Sequence, residues 1–540
     1  MRKKETAWDV VVIGSGIGGL TAAVLLARLH RKKVLVLERH ARVGGFTDVF
    51  SRKGGFLWDV GVHYVGQVSE LDSRPDAQAS RDLIDVVTGG EVRWNPMPEV
   101  FDKLIFPDFT FSIRAGKENF RGDLKAAFPH EAAAIDQYLA DIERAVSYSM
   151  VIGMRSLVPA FYTHVANLVR HRARHLAFMT TGAYLNSHVK DARLRAILGA
   201  RWGDYGLPPA QSAFLIHAIV VRHYFEGASY PVGSAGRIAE AATRALRSCH
   251  GEVRVRSEVE RILTEQGKAV GVQLTSGETI HAGLVISDAG ARNTYLRLLP
   301  RAIDLPFRSE LESTPSSLST ATLYVGLKDS PKSLGVRGEN LWIHAAIDQD
   351  LLSARRVRTH EGEIPMCFLS FPSLKDPEAC RHTAEISTPV DPAAFERWAG
   401  TPWRNRGEQY GCVKERIANA LLATVERHLP GFGELVEYIE LSTPLSNQHF
   451  TAHPRGEIYG IPATPERFCR NYLQVRTPIK GLLLTGADAL VPGVVGAAGA
   501  GLLCTAVATN VLTFSKLKTA AAQLRAERVP TAAATSLSTV

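Results

Sequence analysis

The sequence predicts an α/β protein in which one discontinuous domain is interrupted by an inserted α+β domain. Three observations support this organisation. A strand, glycine-turn and helix pattern opens the chain at 9–45, strand and hairpin patterns return at about 230–300, and an apolar strand followed by a Gly/Ala-rich helix closes it at 481–512. Helical and antiparallel patterns lie between these stretches. We therefore expect the three separated stretches to fold as one unit.

The length of 540 residues is sufficient for two or more domains, each with its own core. The final stretch is rich in Ala, Thr and Ser, a composition typical of disorder. The expected boundaries are 1–75, 230–300 and 440–517 for the discontinuous domain, 76–229 and 301–439 for the inserted domain, and 518–540 for a disordered tail.

The opening segment has the pattern of a dinucleotide-binding turn. The apolar, β-branched run 10–13 predicts a buried parallel strand, and Gly14, Gly16, Gly18 and Gly19 follow before a helix-like stretch. Gly14 allows a tight turn, Gly16 lets a phosphate approach the backbone, and Gly19 lets the helix pack against the strand. The free N–H groups at the start of that helix then bind the pyrophosphate.

A second apolar run, 34–37, ends on Glu38. A carboxylate at this separation accepts hydrogen bonds from a ribose 2′-hydroxyl, and it argues against a 2′-phosphate and hence against NADP. A bare glycine motif is weak evidence because an ordinary strand-turn-helix has the same glycines. The strand, helix and acidic residue around this motif favour a nucleotide site, although the glycines do not distinguish NAD from FAD.

Composition and charge exclude several classes of protein. The net charge of +9 is modest for this length, and we expect no nucleic-acid partner. The six cysteines are far apart without zinc-like spacing, which predicts reduced thiols, a cytoplasmic location and no metal site. The most apolar stretch, 482–512, contains Asp488 and many glycines, so we do not predict a membrane span. No Gly-x-Ser-x-Gly elbow supports a hydrolase.

Four segments resemble the motifs of the flavoprotein amine oxidase and phytoene desaturase superfamily. Glu38-Arg39 with Gly44-Gly45 is similar to its extended FAD motif, and 482–501 is similar to its C-terminal FAD motif. Segment 257–289 resembles the strand and hairpin that meet the adenine, which implies a contact at Val259. The resemblance spans nearly the whole chain and implies FAD in a Rossmann-like domain of the glutathione reductase type.

The C-terminal motif also has a physical interpretation. Gly486 lets a ligand approach the backbone, Asp488 can accept hydrogen bonds from ribityl hydroxyls, and the bare helix start at Gly493 can stabilise a reduced flavin. The cofactor-binding residues that the motifs and the resemblance together predict are Gly14, Gly16, Gly18, Gly19, Glu38, Arg39, Gly44, Gly45, Gly61, Val259, Gly486, Asp488, Gly493, Val495 and Gly496.

Within the superfamily, the chain resembles the branch of retinol saturases, carotenoid isomerases and phytoene desaturases. The segments that carry this resemblance are GVHYVG (61–66), RHYFEGASYPVGS (222–234), SFPSLKDPE (370–378), TPLSNQHF (443–450) and GEIYG (456–460). It departs from the usual pattern at Ser234 and at His30-Arg31, where glycines are usual. The resemblance implies an oxidoreductase that acts on carbon–carbon bonds of an apolar polyene, carotenoid, retinoid or isoprenoid-like lipid.

His63 and Tyr64 are the candidate catalytic residues because they follow the FAD motif closely. Saturation of a double bond requires a proton donor opposite the hydride, and these two side chains are the nearest candidates. A structural histidine beside the flavin is the alternative. His449 and His453 have no third ligand nearby in sequence, so we do not predict a metal.

Two alternatives to a saturase or desaturase remain open. The first is a cis–trans carotenoid isomerase that uses reduced FAD without net redox change, and the second is a non-catalytic prenyl- or lipid-binding escort protein. No second nucleotide motif is found, so a diffusible electron donor or acceptor is expected. The helical region 157–176 mixes apolar and basic side chains, which favours peripheral docking on a membrane.

Overall fold

The computed structural model describes residues 8–528. The strands are β1 (Trp8–Ile13), β2 (Val34–Leu37), β3 (Val49–Arg52), β4 (Phe56–Asp59), β5 (Trp94–Pro96), β6 (Val100–Ile105), β7 (Thr110–Arg114), β8 (Ser229–Pro231), β9 (Glu252–Arg254), β10 (Val259–Glu265), β11 (Lys268–Leu274), β12 (Thr279–Ser287), β13 (Thr320–Leu327), β14 (Asn340–His344), β15 (Met366–Ser370), β16 (His382–Pro389), β17 (Val436–Ser442) and β18 (Leu482–Leu484).

The α-helices are α1 (Ile17–His30), α2 (Pro75–Thr88), α3 (Lys117–Ala127), α4 (Ala132–Ser147), α5 (Ser149–Met154), α6 (Ala160–Val169), α7 (His171–Ala177), α8 (Thr181–His188), α9 (Ala192–Gly199), α10 (Phe214–His223), α11 (Gly236–Ser248), α12 (Arg308–Ser313), α13 (Gln349–Arg355), α14 (Pro372–Lys375), α15 (Glu408–His428), α16 (Phe432–Leu435), α17 (Pro444–Thr451), α18 (Val494–Ala508) and α19 (Thr513–Arg528). Within residues 8–528, no helix is long and apolar enough to cross a membrane.

The first sheet is the core of the discontinuous domain. Its parallel strands lie in the order β18, β12, β1, β2 and β9, and the antiparallel strands β11 and β10 extend it from the first half of β12. Helices α1, α11 and α18 pack together over this sheet. The strands that follow β1 along the chain, β2 and β9, lie on one side of it, and the later strands β12 and β18 lie on the other. The crevice at the carboxyl ends of two parallel strands where the order switches sides in this way is the usual place for a ligand.

The second sheet belongs to the inserted domain. Its strands lie in the order β17, β13, β16, β15, β14, β6 and β7, and all neighbours are antiparallel except β14 and β6. Side chains alternate along β13: Ala321 and Leu323 are buried in a core that includes α15, whereas Thr320, Thr322 and Tyr324 line a cavity on the opposite face. Because successive side chains of a strand point to opposite faces, one face of this sheet lines the cavity and the other packs in the core.

Packing places some boundaries differently from the sequence expectation. Leu83 and Ile84 of α2 are buried in the same core as β1 and α1, so this helix lies with the discontinuous domain although we assigned 76–229 to the insertion. β17 pairs with β13, which places residues 440–442 in the inserted sheet. Both assignments depend on tertiary packing, which a helical or alternating pattern does not specify.

The expectation of disorder from residue 518 is wrong for 518–528, which belong to α19. Leu517 and Leu524 of this helix are buried, and Arg525 and Arg528 form ion pairs with two aspartates of α2. The Ala-rich composition that suggested disorder also has a high helix propensity, and α2 supplies the surface on which this helix packs. The expected disorder of 529–540 lies outside the described residues.

Two departures from the family pattern share one backbone conformation. Arg31, at the end of α1, has φ 53°, and Ser234, before α11, has φ 82°. Glycine adopts this left-handed region freely because it has no Cβ. In other residues the Cβ clashes with the backbone, which costs about 1–2 kcal/mol. The fold therefore keeps the turns for which glycine is usual, although the chain has side chains there.

Candidate functional site

A cavity of about 700 Å³ begins at the carboxyl ends of β1 and β2 and continues to the face of the inserted sheet. At one end it is lined by Gly14, Gly16 and Gly18 of the glycine turn. At the other end it is lined by side chains of the inserted domain. The two predicted functions, cofactor binding and substrate binding, therefore meet in one continuous space.

The glycine turn has the geometry that its sequence predicts. Gly14 has φ 93°, and a Cβ at Gly19 would lie 2.5 Å from the Gly14 carbonyl oxygen, so a side chain there would prevent α1 from packing on β1. A Cβ at Gly18 would lie 2.6 Å from Gly486 Cα. The backbones of the N-terminal and C-terminal motifs therefore pack directly against each other at this point. The residues fit a dinucleotide because the backbone at this helix start is bare.

Glu38 lies against the glycine turn. Its Oε2 accepts hydrogen bonds from the Ser15 backbone N–H (3.0 Å) and the Ser15 hydroxyl (2.6 Å), and its Oε1 accepts one from the His40 N–H (2.7 Å). The Gly44 N–H in turn donates to the Ser15 carbonyl oxygen (3.1 Å). Glu38 and Gly44 are thus fixed beside the turn, where a ribose would meet the carboxylate.

Asp488 is fixed by two backbone amides. Its Oδ2 accepts a hydrogen bond from the Ala291 N–H (2.7 Å), and its Oδ1 accepts one from the Ile461 N–H (2.8 Å). The side chain also lines the cavity. Asp488 therefore ties two loops into the cradle, which is a structural role in addition to the predicted contact with ribityl hydroxyls.

Most of the predicted cofactor-binding residues line the same cavity. They are Gly14, Gly16, Gly18, Glu38, Arg39, Gly44, Gly45, Gly61, Val259, Gly486, Asp488 and Gly493. Gly19, Val495 and Gly496 are not among its lining residues. A Cβ at Gly496 would lie 2.7 Å from the Val491 carbonyl oxygen, and Val495 packs against a small buried cluster, so both residues shape the start of α18.

The inserted domain gives the other end of the cavity an apolar wall. The side chains that form it are Trp202, Leu318, Trp342, Met366, Phe368 and Tyr459. The Trp342 and Phe368 rings lie 4.6 Å apart, and the His63 ring contacts Phe368 edge-on at 5.0 Å. Aromatic rings of this kind bind flat, apolar ligands by burying their faces.

The two predicted catalytic residues point in different directions. His63 lines the cavity, and its Nδ1 lies 2.8 Å from Glu385 Oε2, so the opposite edge of the ring, which contains Nε2, faces the cavity. The Tyr64 hydroxyl lies 3.3 Å from the Asp204 carboxylate and accepts a hydrogen bond from Arg201 (3.2 Å). Tyr64 is not among the residues that line the cavity. The structure thus brings His63, but not the Tyr64 hydroxyl, to the cofactor site.

Comparisons with known proteins decide the family. The chain is 34% identical over 530 residues to an all-trans-retinol 13,14-reductase of Danio rerio, and the match covers 93% of this chain and 86% of that protein. The chain belongs to the all-trans-retinol 13,14-reductase family. A prolycopene isomerase of Arabidopsis thaliana is 27% identical over 520 residues, covering 93% and 82% of the two chains. An inactive all-trans-retinol 13,14-reductase of Danio rerio is 29% identical over 92% of this chain and 85% of its own.

Two further comparisons concern the fold of this chain. A family model for an NAD(P)-binding Rossmann-like domain matches residues 12–74. A putrescine oxidase structure superposes with a TM-score of 0.60 at 16% identity, covering 96% of this chain and 99% of that one. The predicted fold class and the predicted family resemblance are both confirmed. Residues 12–74 thus belong to an NAD(P)-binding Rossmann-like domain, and the chain has the fold of the putrescine oxidase structure.

Asp288, which the sequence patterns did not identify, lies inside the glycine cradle. A Cβ at Gly16 would be 2.4 Å from Asp288 Oδ2, and one at Gly486 would be 2.2 Å from Asp288 Oδ1. Burial, together with the nearby carboxylates of Glu38 and Asp488, raises the pKa of Asp288 to about 7. Its position directly after β12, at the carboxyl end of a parallel strand, is the signal that could have identified it.

Proposed function

We propose that the protein is a FAD-dependent oxidoreductase that saturates a carbon–carbon double bond of a polyene lipid. The observation that carries the proposal is the cavity that joins the glycine cradle to the aromatic wall, with His63 in its lining and in contact with Phe368 of that wall. The cradle fits FAD, and the apolar wall fits a conjugated hydrocarbon chain. The name of the reductase relative describes a reaction of this type.

Saturation requires a hydride and a proton on two neighbouring carbons. FAD, when bound in its reduced form, would supply the hydride. His63 is the side chain that can supply the proton, because the Nε2 edge of its ring faces the cavity. Trp342 and Phe368 orient the polyene and exclude water from the reacting carbons.

The test uses purified protein and all-trans-retinol as the probe. The protein should purify yellow, and anaerobic retinol should reoxidise the chemically reduced flavin with loss of one double bond per flavin. A geometric isomer formed while the flavin stays reduced would instead support a prolycopene isomerase-type reaction. A colourless protein that binds retinol unchanged would support the escort alternative. Bound flavin that reacts with neither retinol nor a carotenoid would contradict the polyene assignment.

The affinity for FAD should depend on pH through Asp288. The pyrophosphate brings two negative charges beside this carboxyl, so FAD binds best to its neutral form. Because the pKa of Asp288 is about 7, FAD binding should take up a proton above this pH, and its dissociation constant should rise by up to about tenfold per pH unit. Fluorescence titration of deflavinated protein from pH 6 to 9 measures this, as FAD fluoresces when released.

Asp288→Asn is the matched control because it keeps the shape and removes the ionisation. Its FAD affinity should be nearly independent of pH and should equal or exceed the wild-type affinity above pH 8. If both proteins show the same pH dependence, another group is responsible, and Asp288 is not the proton acceptor.

The membrane-facing surface that we propose consists of α6 and α7. Phe161, Leu168 and Val169 are 70%, 64% and 76% exposed, and Arg170, Arg172 and Arg174 follow directly. Exposed apolar side chains with adjacent arginines are typical of a helix that lies in the headgroup region of anionic membranes. An apolar substrate would be taken up from such a membrane.

Phe161→Glu with Leu168→Glu should weaken binding to anionic vesicles in flotation experiments. Each substitution removes an exposed apolar side chain whose burial in the membrane would contribute about 1.5–3 kcal/mol, so the affinity should fall by roughly 100-fold or more. Charge reversal of the three arginines should abolish the salt-sensitive part of binding. Val357→Glu, at another exposed position of the inserted domain, is the control. Equal flotation of all variants would assign the helices to an ordinary solvated surface.

A further inference from the structure

A cluster of buried ionisable groups lies directly behind His63. Glu385, on β16, is fully buried, and its Oε1 accepts a hydrogen bond from the Asp59 backbone N–H (2.8 Å). Its Oε2 lies 2.8 Å from His63 Nδ1, and neither of these two buried atoms has a hydrogen-bond partner among residues 8–528. The Lys375 ammonium donates to the His63 carbonyl oxygen (3.0 Å) from α14. The cluster thus connects the cavity to three buried groups that could bind or release a proton.

His63 alone is a poor proton donor in this position. Burial, together with the nearby Lys375 charge, lowers its pKa to about 4, so the imidazole is neutral near neutral pH. A neutral imidazole that loses its only N–H proton becomes an anion, which is unfavourable in a buried site. Donation from Nε2 therefore requires that Nδ1 gain a proton at the same time.

We propose that Glu385 is the positioning acid that supplies a proton to His63 Nδ1 while Nε2 protonates the substrate. The inference rests on the proposed function, and it assigns the source of the proton in the reaction. The Oε2–H bond of Glu385 breaks as the Nδ1–H bond forms, and the Nε2–H bond breaks as the new C–H bond forms. His63 changes tautomer and stays neutral, and the negative charge appears on Glu385.

The surroundings of Glu385 allow both of its charge states. Burial raises the pKa of Glu385 to about 8, which keeps its proton at neutral pH, while the Asp59 N–H and the Lys375 charge stabilise the carboxylate after transfer. The other ionisable groups that face the pair are Asp59 and Asp204, and both favour a proton on His63. Glu385 then regains its proton from water through His63, whose side chain is 20% exposed.

The electrons in each turnover come from reduced FAD, which a diffusible electron donor must regenerate. In a single turnover, a chemical reductant replaces this donor, and one double bond becomes a single bond as one flavin is oxidised. The rate of flavin reoxidation by retinol, measured against pH, therefore reports the proton donor without interference from the natural partner.

Glu385→Gln tests the proposal because glutamine has the shape of the protonated acid and still accepts from the Asp59 N–H. The wild-type rate should fall above about pH 8 as Glu385 ionises, by up to about tenfold per pH unit. The variant should retain FAD and bind retinol, but its rate should fall by at least about tenfold and lose this alkaline decrease. Glu385→Asp, which restores an acid, should restore part of the rate and the pH dependence.

Glu339→Gln is the matched control, because Glu339 is another buried carboxylate of the inserted sheet and pairs with Lys103 (2.6 Å) away from the cavity. It should leave the pH profile unchanged. A wild-type protein that does not saturate retinol would contradict the proposed function itself. A wild-type protein that saturates retinol, with a Glu385→Gln variant of equal rate and equal pH profile, would overturn only the role of Glu385.

Discussion

Gly16→Val should yield a folded protein without bound flavin. A Cβ at this position would lie 2.4 Å from Asp288 Oδ2, the far end of a side chain that can move into the cavity, so the backbone can keep its conformation. The valine methyl groups would then occupy the place where the pyrophosphate must contact the helix start. We expect the flavin absorbance per protein to fall at least about 100-fold, since the pyrophosphate loses its main hydrogen-bond donors.

Gly122→Val is the matched control. Gly122 lies on α3 in the inserted domain, and no atom lies within 4 Å of a Cβ built there. This variant should purify yellow with full flavin content. Gly16→Val is preferred to a substitution at Gly18, because a Cβ there would meet the backbone of Gly486 and unfolding would explain any loss of flavin. A Gly16→Val protein with a wild-type circular dichroism spectrum and full flavin would show that the pyrophosphate binds elsewhere.

The cofactor end of the site could be predicted from the sequence because its determinants are local. Turn geometry requires glycine at Gly14, and close packing requires it at Gly19, so the residue types themselves report the backbone. Glu38 ends a strand whose parallel neighbour begins the motif. These structural requirements each involve residues close together in sequence, so each can be recognised from a residue type or from the spacing between residues.

The end of the cavity that contains His63 could not be predicted in the same way. His63 and Glu385 are more than 300 residues apart, and they meet because the ribbon of β3 and β4 packs against the inserted sheet through contacts such as Asp59 with Glu385. Glu385 lies in strand β16, and the sequence around it, HTAEISTP, has no pattern that predicts a buried carboxyl group. Tyr64 adjoins His63 in sequence, yet its hydroxyl contacts Asp204 and Arg201, and Tyr64 does not line the cavity. Burial and direction depend on the tertiary structure.

His63→Ala should retain FAD but lower the rate of retinol-dependent flavin reoxidation by about 10²-fold or more, the usual contribution of a general acid. The imidazole has its polar contact with Glu385 rather than with the glycine turn, so flavin content should be unchanged. The reason for the loss is that Nε2 is the donor at the cavity surface and the alanine leaves only water in its place. Stopped-flow measurement of the flavin spectrum, with product analysis, gives the rate and the number of double bonds lost.

Tyr64→Phe separates a donor at the cavity from a neighbouring structural residue. Its hydroxyl contacts Arg201 and the cavity-lining Asp204, but Tyr64 itself does not line the cavity. Removal of the hydroxyl should therefore leave the rate within a few-fold of wild type while removing a buried hydrogen bond worth about 1–3 kcal/mol. If Tyr64→Phe lost activity and His63→Ala did not, the proton would come from the Asp204 side of the cavity. Equal activity in both variants would require a reaction without a protein acid, as an isomerisation of a delocalised polyene would be.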